Sequence, residues 1–291
     1  MRVETAPPSP LGTLLTELTA ALAAGGIALA ADEARDIVAA ILDVPRFWPT
    51  THRESLIDSS AADDARRAAT ARLRGAPFGY AVGRAAFRYL TLAVDERVLI
   101  PRQETEVLVD LVLQALRGGH GTVADIGTGS GAIALALATE GAFDAVVATD
   151  VSLGALAVAE QNASFLRDDL RAPVEFLHGS LLAPLHGRLV HAVVSNPPYI
   201  AFGEAEELPP SVRDWEPPLA LLSGEGGLAA TRAIVRQASS VLHPGGLLAL
   251  EVDTRRASLV VEAVATQGAY RDVAVHLDLT GRERFVLASR R

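Results

Sequence analysis

Leu11, Leu14, Leu15, Leu18 and Leu22 recur at intervals that put them on one face of a helix. Ser9-Pro10 ahead of them reads as its start, with serine as the cap and proline in the first helical position. Pro7, Pro8 and Pro10 make residues 1–10 a frayed lead-in, and Gly25-Gly26 breaks the helix at its far end. A second helix is predicted from about Ala31 to Leu42, with Ile37, Val38 and Ile41 as its apolar side. A third runs from about Ala61 to Arg74 and stops at Gly75. The first stretch of the chain is therefore a small helical domain.

The periodicity then changes. Residues 87–94 form an extended run, Asp95-Glu96 a turn and residues 98–100 a return strand, which together predict a hairpin. From Pro101 onward, short apolar runs at Thr122–Ile126, Ala145–Asp150, Val174–His178, His191–Ser195 and Gly246–Val252 alternate with helical stretches. Such runs suit parallel strands covered on both faces. Two more, Arg271–Leu277 and Arg284–Ser289, are joined by Thr280-Gly281. Five alternating strands and a terminal hairpin make a doubly wound α/β domain with a partly antiparallel edge. The domains expected are 1–84, helical; 85–100, a β-hairpin connector; and 101–291, the α/β domain.

Composition narrows the chemistry. Hydrophobic residues are 49% of the 291 and charged residues 21%, enough to bury a core. No apolar run of about 20 residues is present to span a membrane. The apolar segment Leu18–Ala31 lacks a basic flank, with Arg2 set against Glu4 and Glu17, so it reads as a helix and not a signal peptide. Without cysteine there are no disulfides, thiolate metal sites or cysteine nucleophiles. The seven histidines show no metal spacing, and no metal is expected. A net charge of −9 disfavours binding to phosphate backbones. A cytoplasmic monomer is expected, with no membrane and no direct nucleic-acid partner.

The first chemical signal is residues 123–131, Val-Ala-Asp-Ile-Gly-Thr-Gly-Ser-Gly, which end a strand and open the helix Ala132–Ala138. Gly127, Gly129 and Gly131 let the backbone turn tightly beside a ligand. Asp150, about 20 residues on, ends the next strand, where a carboxylate accepts ribose hydroxyls. The pair indicates a nucleoside cofactor without choosing between a nicotinamide dinucleotide and S-adenosylmethionine. The glycine spacing departs from the pattern that receives a pyrophosphate, which leans toward S-adenosylmethionine.

The second signal is Ser195-Asn-Pro-Pro-Tyr199 at the end of the fourth strand, where Asn196 should share a cleft with Gly129 and Asp150. Two prolines fix the chain and remove N–H donors, leaving carbonyl acceptors. This suits methylation of a planar nitrogen. The Asn196 side-chain oxygen and the Pro197 carbonyl would accept its N–H groups, and Tyr199 would cover one face. Positioning alone is worth about 7–11 kcal/mol, so no strong base is required.

Other stretches narrow the resemblance. Pro77-Phe-Gly-Tyr-Ala-Val-Gly83 with Phe87, Val98-Leu-Ile-Pro-Arg-Gln-Glu-Thr-Glu106, Val212-Arg-Asp-Trp-Glu-Pro-Pro-Leu-Ala-Leu221 and Gly281-Arg-Glu-Arg-Phe-Val-Leu-Ala288 join the Asn-Pro-Pro-Tyr motif. The chain resembles the PrmC/HemK family, methyltransferases that modify the glutamine of the Gly-Gly-Gln motif in peptide-chain release factors. The likeness runs from about residue 77 to the end.

The resemblance implies a class I S-adenosylmethionine methyltransferase, with a seven-stranded sheet and a small N-terminal helical domain that recognises the substrate. It implies a cofactor site of Asp125, Gly127, Thr128, Gly129, Ser130, Gly131, Asp150, Leu181 and Asn196. Asn196, Pro197, Pro198 and Tyr199 would bind the substrate glutamine, with Asn196, Pro197 and Tyr199 catalytic. Arg102, Thr105 and Glu106 either close the methionine end of the cofactor or form a charged helix start. Gly179-Ser180-Leu181 lacks the acid often found there, and Glu251-Val-Asp253 replaces a more usual Glu-x-Gly. The alternatives are an exocyclic-amine nucleic-acid methyltransferase, or a paralogue methylating another protein.

Overall fold

The computed structural model describes residues 9–291, so the lead-in expected for residues 1–8 lies outside the described residues. Two compact units are present: residues 9–84 with Pro210–Trp215, and Ala85–Pro209 with Glu216–Arg291.

In the first unit, helices α1 (Leu11–Ala24), α2 (Ala30–Leu42) and α3 (Ser59–Leu73) share one core. Leu11, Leu14, Leu15, Leu18 and Leu22 are all buried there, with Ile37 and Val38 from α2. Ser9 does not cap α1. Ser9 and Pro10 pair instead with Ile57 and Leu56 as a short antiparallel bridge. The first N–H groups of α1 find distant carbonyls: Leu11 donates to Ser55 O at 2.8 Å and Gly12 to Arg53 O at 2.7 Å. A serine cap has no donor left to satisfy.

A hairpin of β1 (Arg84–Phe87) and β2 (Leu90–Ala93) begins where the chain passes into the second unit. This corrects the sequence expectation of one strand over 87–94 and a return over 98–100. The turn falls on Arg88, which adopts a left-handed φ of 53°. Its guanidinium holds it there. It donates to Glu140 at 2.6 and 2.7 Å, to Asp110 at 2.8 Å and to Glu106 O at 2.9 Å. Arg88 is nearly buried, and removing one partner of a buried pair costs about 3–5 kcal/mol. Arg88→Met is therefore expected to lower unfolding free energy by about 2–4 kcal/mol, because part of the network is exposed. Urea titration against wild type checks this; an unchanged midpoint would remove the anchoring role.

The main elements that follow are α4 (Gln103–Ala115), β3 (Thr122–Ile126), α5 (Ala132–Glu140), β4 (Ala145–Asp150), α6 (Leu153–Phe165), β5 (Val174–His178) and β6 (Val190–Ser195). After them come α7 (Ala229–Val241), β7 (Leu242–Glu251), α8 (Ala257–Gln267), β8 (Tyr270–Leu277) and β9 (Glu283–Arg290). The seven-stranded sheet has the order β8-β9-β7-β6-β3-β4-β5. β9 slots between β7 and β8, antiparallel to both, so the antiparallel strand lies one position in from the edge.

Alternation along each strand feeds two cores. Val123, Val146, Ala192, Ala249 and Phe285 join α4 and α5 on one face. Ala124, Val147, Val193, Leu250 and Val286 join α7 and α8 on the other. The chain direction across the sheet reverses between β3 and β6, which are neighbours. That switch point opens a crevice at the carboxyl ends of both strands. Among the described residues no helix is long and apolar enough to cross a membrane.

Candidate active site

The loop after β3 owes its shape to backbone bonds that only glycine-rich sequence allows. Gly127 and Thr128 N–H groups both donate to Thr149 O at 2.9 Å, drawing the loop over the end of β4. Gly127 and Gly129 have φ of 74° and 57°, and a Cβ on either would meet no atom within 4 Å. Both therefore face open space a ligand can approach. Gly131 differs: a Cβ there would press on Leu135 and Ala159, so it serves helix packing.

Asp150 closes one side of the loop. Its Oδ2 accepts from Gly129 N–H and its Oδ1 from Ser152 N–H, each at 2.9 Å. Every carboxylate oxygen keeps a further lone pair for a hydroxyl. Behind the loop, Asp125 is fully buried and accepts from Thr128 Oγ1 at 2.7 Å and Ala134 N–H at 3.1 Å. Ser195 Oγ donates to Ile126 O at 2.6 Å, tying the end of β6 to that of β3.

Asn196 follows directly. Its Nδ2 donates to Thr105 Oγ1 at 3.1 Å, and Thr105 Oγ1 donates to Glu251 Oε2 at 2.7 Å. Pro197 is buried, while Pro198 and Tyr199 are partly so. Burial pushes the Tyr199 phenol up to about 12, helped by the nearby Glu251 carboxylate. Burial likewise lifts Glu251 to about 7.

These parts line one cavity of about 450 Å³. Gly127, Gly129, Asp150, Leu181, Asn196 and Pro198 all contribute to its wall. Asp125, Thr128, Ser130 and Gly131 support the loop from behind, and Pro197 and Tyr199 are not part of the lining. Leu181 has a φ of 49°, and its carbonyl accepts from Thr149 Oγ1 at 2.9 Å. Arg102 and Glu106 do not line the cavity. Arg102 donates to both oxygens of the buried Glu216 at 2.7 Å, and Glu106 accepts from Arg88 N–H at 3.0 Å.

Comparison with known proteins gives the family. Residues 103–208 match the model of a methyltransferase small domain, and residues 13–83 that of the PrmC N-terminal domain. A release factor glutamine methyltransferase of Moorella thermoacetica is 42% identical over 278 residues, covering 95% of this chain and 97% of that one. One from Deinococcus radiodurans is 38% identical over 281 residues, covering 96% and 98%. The chain belongs to the release factor glutamine methyltransferase family. A methyltransferase from Pyrococcus furiosus shares the fold at a TM-score of 0.52 and 20% identity, covering 70% of this chain and 90% of that one.

Several wall residues of this family member escaped sequence reasoning. Arg97, Val98 and Leu99 line the cavity, as do Leu219, Ala220, Leu222, Ser223 and Gly224. The signal was present in Ser223-Gly-Glu-Gly-Gly227, three glycines in five residues after a Pro-Pro pair. Asn162 was also missed. It is buried, donates to Ser130 O at 2.9 Å and Ala93 O at 3.0 Å, and accepts from Ala93 N–H at 2.7 Å. It thereby stitches the glycine loop to the hairpin.

Burial lifts Asp125 from 3.8 to about 7, outweighing the bonds from Thr128 and Ala134. The folded state thus holds this proton longer than the unfolded chain. The stability it contributes is fully present below the unfolded value near 3.8 and is lost as pH rises through about 7. Asp125→Asn has no such proton to lose. Its melting temperature is expected to gain on wild type as pH rises from about 4 to 7 and to run parallel above. Thermal melts across that range check it, and a constant difference would contradict the assignment.

Proposed function

We propose that the chain transfers a methyl group from S-adenosylmethionine to the side-chain amide nitrogen of the Gly-Gly-Gln glutamine of peptide-chain release factors. The observation that carries this is Asn196, held with its amide nitrogen turned to Thr105, on the same cavity as Gly127, Gly129 and Asp150. The residues fit the cofactor. Gly127 and Gly129 leave room where any side chain would intrude, and Asp150 offers lone pairs for ribose hydroxyls. Leu99 and Leu181 add apolar wall. When bound, S-adenosylmethionine supplies a methyl group on a sulfonium, open to direct displacement by a nitrogen lone pair.

The chain has to make a poor nucleophile react. An amide nitrogen shares its lone pair with the carbonyl, and its N–H groups must be met by acceptors if it is to be fixed. Asn196 Oδ1 and the Pro197 carbonyl supply two. Pro197 and Pro198 bring no N–H that would compete. Tyr199, just beyond the lining residue Pro198, stays protonated and so would cover the amide as a neutral group and not a base. Orientation then carries the rate. Asp125, Thr128, Ser130 and Gly131 shape the loop, residues 1–84 recognise the partner protein, and 85–100 connect the domains. The net charge of −9 favours a protein partner over nucleic acid.

The test is transfer of labelled methyl to purified release factors with the Gly-Gly-Gln glutamine intact or changed to alanine, beside tRNA and DNA. Label on the intact factor alone is the expected result. Label on nucleic acid instead would overturn the reading.

A further inference from the structure

We propose that Thr105 and Glu251 are positioning residues that fix which end of the Asn196 amide faces the substrate. The inference rests on the function proposed above and deepens it. Three elements converge here: Thr105 stands in the first turn of α4, Asn196 follows β6 and Glu251 ends β7. Leu250 is in register with Ser195, so Glu251 and Asn196 leave the sheet side by side. Thr105 is 4% exposed and Glu251 1%, so water does not compete for their bonds.

A hydroxyl carries one proton. Thr105 gives it to Glu251 Oε2 and so can only accept from Asn196, whose nitrogen must face it. The Asn196 oxygen is then the end left for the substrate. An asparagine without this bias presents either end with similar ease, and its NH₂ set against the substrate N–H groups would repel them. Glu251, 146 residues from Thr105 in sequence, thus dictates acceptor against donor at the reacting nitrogen.

Protonation of Glu251 reverses the chain. The acid donates to Thr105, whose own proton turns to the Asn196 amide and draws its oxygen inward. With Glu251 lifted to about 7, activity rises with pH through that region. Glu251 is faced by Thr105, Glu104 and Arg102 around the start of α4, by Arg284 on β9 and by Tyr199. The Tyr199 phenol stays protonated, and Glu104 is exposed.

The experiment compares wild type, Thr105→Val, Thr105→Ser, Glu251→Gln and Glu104→Gln for methylation of the release factor between about pH 6 and 9, with S-adenosylmethionine affinity measured by calorimetry. Thr105→Val should lower kcat by about 10- to 100-fold, since small misplacements cost that much, with cofactor affinity kept. Thr105→Ser should restore it. The limb near pH 7 should appear in wild type, Thr105→Ser and Glu104→Gln and be absent from Glu251→Gln. If Thr105→Val does not fold, the Glu251→Gln profile decides. A Thr105→Val kcat within threefold of wild type, or a limb persisting in Glu251→Gln, overturns the proposal. A wild-type enzyme that leaves the release factor unlabelled instead overturns the function on which it rests.

Discussion

Asn196→Ala is expected to lower methyl transfer to the release-factor glutamine by roughly three orders of magnitude, the upper end of what one preorganised polar group supplies at a reacting centre. The loss belongs to the chemical step. Asn196 lies beyond the last paired residue of β6, so its removal leaves the sheet ladder intact. The glycine loop and Asp150 are held by Thr149, Gly129 and Ser152, and none of those bonds passes through Asn196. Cofactor affinity should therefore change by less than about tenfold, the loss of one contact. Asn196→Asp should do no better. A carboxylate there accepts a substrate N–H, but it also claims the Thr105 proton that Glu251 already holds. Two acids are then left with one donor in a buried site, a like-charge pair that resists ionisation. Single-turnover transfer and calorimetry measure the two parts separately. A chemical rate within threefold of wild type would remove Asn196 from the reacting centre.

Asn196 and Gly129 were legible in the sequence because local pattern and topology coincide there. A parallel strand ends, a turn residue follows, and the switch point of the sheet brings the two loops together. Within the strands, residues 146–148 and 192–194 alternate between the two cores, so their faces follow from period two. The hairpin was misplaced for a physical reason. Nothing near Arg88 announces a left-handed residue, and arginine has no intrinsic preference for one. The conformation is held by Glu140 and Asp110, 52 and 22 residues away. Ser9 misled in the same manner, since carbonyls of Arg53 and Ser55 take the place of a local cap. Thr105 was visible as a residue near the site, but its part in the chain from Glu251 to Asn196 appears only once β6, β7 and α4 are side by side.

Gly227→Ala is the second large effect expected, and Gly226→Ala is its control. The segment Leu222–Ser223 pairs in parallel with Ile200–Ala201, so it buttresses the chain leaving Asn196-Pro-Pro-Tyr199. Gly227, at a φ of 89°, packs directly against that chain: a Cβ would lie 2.3 Å from Tyr199 O and 2.8 Å from Arg256 Nε. Arg256 cannot yield freely, because it donates to Gly226 O at 2.6 Å and to Glu204 Oε2 at 2.6 Å. The backbone at Tyr199 must move instead, and Pro197 and Pro198 carry that movement stiffly to Asn196. Gly226 has a φ of 66° but open space around its Cβ. Alanine at 226 therefore costs only left-handed strain, about 1–2 kcal/mol, with activity held within a few-fold. Alanine at 227 adds the displacement, and a shift of the order of 1 Å at the reacting centre costs about 10²-fold in rate. Transfer rates and urea midpoints of the two variants, measured side by side, separate strain from displacement. Equal rates would mean that the close approach at Tyr199 plays no part in holding the site.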